Sequence, residues 1–185
     1  RILHELTERT GIDFVSSKRG GFRILGIMAA FARGCYSCPN RVPFLQREAI
    51  VLNLEPSDPY WYSVLFHELA HATGHQARLS RIGIVDMHAY AYDLGVKAIE
   101  EIIAESTARL VLRQLGLSNQ YTESQNENYI LHFAREANID LSSSHIKTEV
   151  DRAYSFIMEH WADFLDTVKN ETRLMELMRE ANRFF

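Results

Sequence analysis

The chain has 185 residues, 46% of them hydrophobic, and carries a net charge of −4 from 20 basic and 24 acidic side chains. That is enough chain for one globular domain with a real core. Lysines and arginines are scattered, so this domain alone is not expected to bind nucleic acid strongly, and no apolar run is long enough for a membrane span.

In chain order, residues 1–10 read as a short helix and Gly20-Gly21 as a turn. Phe22 to Phe31 is apolar and fits either strand or helix, and Val42 to Leu54 reads as strand-turn-strand with Pro43 at the break. Between them Cys35 and Cys38 form one Cys-x-x-Cys. It lacks the second pair that a structural zinc site needs, so reduced thiols are expected.

A helix is predicted next, with Ser57 or Asp58 at its cap, Pro59 in its first turn and Gly74 as its stop. Its polar positions Ser63, His67, Glu68, His71 and His75 make one narrow stripe among apolar or small residues, the pattern of a buried helix whose stripe faces a cleft. His67-Glu68-Leu69-Ala70-His71 sets two imidazoles about one helical turn apart with a carboxylate beside them. Both rings then leave one face and can grip one metal ion. Catalytic zinc takes three protein ligands and keeps a place for water, from which Glu68 can take a proton. These residues point to a zinc-dependent hydrolase acting on a protein or peptide.

A second helix spans about Gly95 to Leu115, with Ile99, Ile102, Ile103, Ser106 and Leu110 as its apolar stripe and Gly116 at its end. Its acids Glu100, Glu101 and Glu105, together with His75, are the candidates for a third ligand. Lys97 with Glu101 and Glu105 with Arg109 are alternatively surface ion pairs. After Leu117 the chain reads as helical: Glu123 to Ala137, then a helix capped by the Ser142 to Ser144 run and reaching about Val168, then Thr172 to Phe184. Val150, Tyr154, Ile157, Trp161 and Leu165 form a stripe that packs on the core. The class is α+β and helix-rich, a single domain over 1–185 with its core at about 20–117 and a helical part at 118–185.

The run from Tyr60 to Arg81, followed by Glu100 to Glu105, resembles the zincin-like metallopeptidase domain of ArdC-type antirestriction proteins of mobile genetic elements. The resemblance implies a gluzincin fold in which a small twisted sheet lies above the metal and two motif helices lie below. Arg47 to Asn53 stands in the place of the strand before the active helix. It implies Zn2+ as cofactor and a Glu-x-x-Ala-acid frame matched by Glu101 to Glu105, with Glu101 as third ligand and Glu105 orienting a ligand histidine. Glu100, rotated about 100° from Glu101, is then expected to face solvent. His75, just past Gly74, is a cleft residue. With His88, Tyr90 and Tyr92 of the connector, it is a candidate to meet substrate or its oxyanion. An extended substrate is expected to add to the strand around Ile50 to Asn53. The setting is cytoplasmic, and an upstream domain missing from this chain is expected, since the chain opens on Arg1. The alternative is a non-catalytic domain, its zinc closed by His75 as fourth ligand, that occludes a restriction enzyme or helps protect DNA.

Overall fold

The computed structural model describes residues 2–16, 33–38, 47–54 and 58–181. The expectations for Gly20-Gly21, Phe22 to Phe31 and Pro43 lie outside the described residues. Helix α1 (Ile2–Thr10) leads into strands β1 (Asp13–Ser16), β2 (Gly34–Ser37) and β3 (Ala49–Leu52). The rest is helical: α2 (Trp61–Thr73), α3 (Ile82–Val85), α4 (Met87–Tyr92), α5 (Leu94–Leu115), α6 (Gln120–Glu136), α7 (Ser144–His160) and α8 (Ala162–Ala181). The fold is α+β and helix-rich, and no described helix is long and apolar enough to cross a membrane.

The sheet runs β1-β3-β2, with β3 parallel to β1 and antiparallel to β2. All four residues of β3 are buried, which is why Ala-Ile-Val-Leu reads as an unbroken apolar run. β3 therefore does not offer the edge expected around Ile50 to Asn53. Its hydrogen bonds go to both neighbouring strands, and the strand beside the histidine helix is β2.

Helix α2 packs along α5, and both lie in the interior. Asp93 caps α5 by accepting the Val96 N–H at 3.0 Å, and Gly116 ends it at φ 71°, the left-handed conformation that glycine adopts without strain. Gly74, which follows α2, is a glycine for another reason. Its φ is −75°, but a Cβ there would sit 2.6 Å from Ile84 Cγ1.

The core lies in two parts on either side of α5. Ala104, Ala108, Val111 and Leu112 join α2 and the sheet. Ile102 and Ile103 pack with Ala134 of α6 and with Ile146, Val150 and Ala153 of α7. The stripe of isoleucines thus meets a second core, and the acidic face opposite is interior rather than a solvated surface. Lys97 lies 6.0 Å over the Tyr90 ring, and Arg109 bonds Glu123 at 2.6 Å, so neither makes the surface pair that i,i+4 spacing allows. Arg113 also bonds Glu123, so the start of α6 is clamped to α5.

The C-terminal helices break at Trp161 rather than between Val168 and Thr172. Trp161 leaves helical geometry at φ −121° and ψ 22° and buries its indole in the core beside Phe164 and Leu165. A buried indole sets this break, with no glycine or proline to announce it. The stripe of Val150, Ile157, Trp161 and Leu165 is buried, with Tyr154 packed against the core.

Candidate metal centre

One helical turn sets His67 and His71 side by side on α2, their Nε2 atoms 3.0 Å apart. From α5, Glu101 brings Oε2 to 3.4 Å from His67 Nε2 and Oε1 to 3.7 Å from His71 Nε2. Zinc bonds of roughly 2.0–2.2 Å at tetrahedral angles set ligand atoms about 3.3 Å apart, which these spacings bracket. His67, His71 and Glu101 are buried and form the one metal-holding group found among the described residues.

The outer nitrogens make the case stronger. His67 Nδ1 meets Glu105 Oε2 at 2.7 Å, and His71 Nδ1 meets Glu100 Oε1 at 3.1 Å. An ionised carboxylate only accepts, so each ring donates its Nδ1–H outward and turns an Nε2 lone pair inward. Two lone pairs and a carboxylate then converge on one spot, which calls for a cation. Without a metal, a proton fills that role. Burial alone would lower the His67 imidazole, but bonds to Glu101 and Glu105 outweigh it and raise its pKa well above 6.5. Burial would raise the Glu101 carboxyl, yet the His67 bond, the histidine charges and Tyr90 hold it well below the usual range.

Glu100 corrects the expectation of a solvent-facing side chain: it is 2% exposed. Its rotation from Glu101 carries it to the outer edge of His71, where Arg81 grips both its oxygens at 2.9 and 2.7 Å. Arg81 also donates to Thr73 Oγ1 and to the Ala70 carbonyl at 2.7 Å each. Arg78 makes a similar clamp between the Ala72 carbonyl and Glu48, and Glu48 also accepts from Tyr36 at 2.6 Å. The two arginines therefore tie down the end of α2.

Glu68 is buried beside the histidines, where the backbone N–H of Tyr36 donates to it. Burial raises its pKa, partly offset by the two imidazoles. Gly34 allows β2 to come this close, since a Cβ there would lie 2.7 Å from Glu68 Oε1 and 2.5 Å from Val64 Cγ1.

His67, Glu68 and Glu105 line a cavity of about 390 Å³, with Arg33 and Gly34 on one side and Asn126 and Tyr129 of α6 on the other. Asn126, its amide turned to donate to Glu105 Oε1 at 3.0 Å and to Ser63 Oγ at 3.2 Å, closes the chain behind His67. Tyr129 donates to Glu101 Oε2 at 2.9 Å, and Tyr90 donates to Oε1.

Of the connector residues, only Tyr90 reaches the centre. His88 and Tyr92 are exposed, with rings 4.7 Å apart, and neither lines the cavity. His75 lies 3.6 Å from Glu48 and accepts the Ala77 N–H, outside the donor group. Cys35 on β2 donates to the Tyr36 carbonyl at 3.6 Å, and Cys38 is buried in the core. Asn126 and Tyr129 carried no local signal, because they sit in a polar stretch with no metal-binding spacing.

Residues 55–143 match the model of MPTase-PolyVal, a family of zincin-like metallopeptidases. The matched segment is similar to zincin-like metallopeptidase domains, and it runs from just before α2 to the loop ahead of α7. No curated protein and no solved structure matches the chain.

Proposed function

We propose that the protein is a zinc-dependent peptidase in which His67, His71 and Glu101 hold the metal and Glu68 is the general base. The observation that carries this reading is the convergence of two imidazole lone pairs and one carboxylate beside a buried glutamate at a cavity wall. Bound zinc supplies a Lewis acid and lowers the pKa of its water to about 7. Glu68, at the cavity wall, would act as the base that takes a proton from the attacking water and returns it to the leaving amine. Its raised pKa favours the delivery, and the Tyr36 N–H keeps it aimed. Glu105 and Glu100 hold the two rings with their Nε2 atoms inward. An extended peptide lies in the cavity, between the start of β2 at Gly34 and the face of α6 at Asn126 and Tyr129.

The donor group has three members and His75 is turned to Glu48, which supports an open catalytic site over a closed structural one. The likeness of Tyr60 to Arg81 to ArdC-type proteins supports a substrate among host proteins met by a mobile element in the cytoplasm. Glu68→Gln tests the reading by zinc content and by cleavage of a peptide library. The variant keeps stoichiometric zinc and loses hydrolysis by about 10²–10⁴-fold. Loss of the metal, or full activity without the carboxylate, overturns it.

A further inference from the structure

Each oxygen of Glu101 accepts a phenol, Oε1 from Tyr90 and Oε2 from Tyr129. The two phenols are placed differently. Tyr90 comes from α4 and is not part of the cavity wall, whereas Tyr129 comes from α6, lines the cavity and is 39% exposed. Its ring stands edge-on to His67, with centroids 5.7 Å apart. The oxygen it holds, Oε2, is also the one closer to a histidine Nε2, at 3.4 Å against 3.7 Å for Oε1.

A carboxylate oxygen that lends electron density to a dication is a weaker hydrogen-bond acceptor. Oε2 is the oxygen nearer to a histidine Nε2, so a bound metal would compete with Tyr129 for it and leave Tyr90 on Oε1. Tyr129 has one proton to donate, and it stands in the wall that substrate meets. A donor fixed where negative charge develops is a large contributor to acyl-transfer catalysis.

We propose that Tyr129 is a catalytic residue whose hydroxyl turns from Glu101 to the substrate's scissile carbonyl oxygen as charge builds there, while Tyr90 stays behind as the positioning residue of Glu101. This rests on the metallopeptidase reading above. The phenol keeps its O–H covalent bond throughout and only changes acceptor, so no proton is consumed.

Tyr129→Phe and Tyr90→Phe separate the roles, each with zinc affinity measured by competition with a chromophoric chelator and kinetics measured on a peptide the wild type cleaves. Tyr129→Phe should keep zinc affinity within about twofold of wild type and lower kcat by about 10²-fold with little change in KM. Tyr90→Phe should weaken zinc by about tenfold, as loss of a partner behind a metal ligand does. Equal weakening of zinc by both variants, or an unchanged kcat for Tyr129→Phe, overturns the proposal. A wild-type protein that cleaves no peptide brings down the metallopeptidase reading itself. Hydrolysis equal in wild type and Tyr129→Phe brings down only the role of Tyr129.

Discussion

The two histidines of α2 look equivalent along the chain, yet they are supported in opposite ways. Behind His71 stands Glu100, itself gripped by a buried arginine that also bonds the Ala70 carbonyl and Thr73. Behind His67 stands Glu105, held by the neutral amide of Asn126 in the wall of the cavity. One ring is fixed by an ion pair sealed in the interior, and the other by a hydrogen-bond chain that faces the cavity. A metal site open on one side needs one rigid wall and one wall that tolerates a ligand's approach, and these two supports provide them.

Arg81→Ala tests the rigid wall most severely. It leaves the Glu100 charge buried and unpaired, and breaking such a pair costs about 3–5 kcal/mol. A urea denaturation midpoint close to wild type would show that the clamp is dispensable.

The outer carboxylates come next. Glu100→Gln and Glu105→Gln should each weaken zinc, within the roughly 10–100-fold range for such partners. The larger loss should fall on Glu100→Gln, which strands the Arg81 charge as well. Chelator competition reads both, and a larger loss for Glu105→Gln reverses the comparison.

Protonation provides a third test, confined to the metal-free protein. The folded pKa of His67 lies well above 6.5, so its contribution is complete below about 6.5 and is lost as pH rises through the folded value. Glu68, also raised, acts in the same sense, while Glu100 and Glu101, held below 4.5, matter only as acid protonates them. Metal-free protein should therefore lose stability as pH climbs from neutral into the alkaline range. Zinc loading should flatten that slope, because a metal replaces the proton. Thermal melts across pH with and without zinc check this, and identical slopes would show that His67 does not titrate there.

Asn126→Ala should have the smallest effect. The change takes a neutral donor from Glu105 and also breaks the bonds to Ser63 and the Thr122 carbonyl, at a cost of about 1–3 kcal/mol, less than the loss of Arg81. A loss as large as that of Arg81→Ala would mean that the cavity wall is as rigid as the buried one.

The local chemistry was legible in the chain itself. Helical periodicity alone puts His67 and His71 on one face of α2, and Glu101 and Glu105 one turn apart on α5. The helix-rich α+β class followed from long periodic segments after Trp61. What the chain could not reveal is which side of α5 is wet. Spacing treats Glu100 as the acid rotated away from the site, and in isolation that means solvent. Tertiary packing buries α5 on both sides, so the rotated carboxylate meets Arg81 and His71 instead.

The sheet order has the same origin. An apolar run such as Ala49 to Leu52 signals a buried strand, but only pairing with partners distant in sequence makes it central rather than an edge. The break at Trp161 depends on where an indole finds room in the core. Asn126 and Tyr129 reach the site because α6 folds back on α5, clamped by Glu123 to Arg109 and Arg113. A residue's identity and its helical face are local properties, settled by spacing along the chain. Its neighbours across the core are set by long-range packing, which no local period encodes.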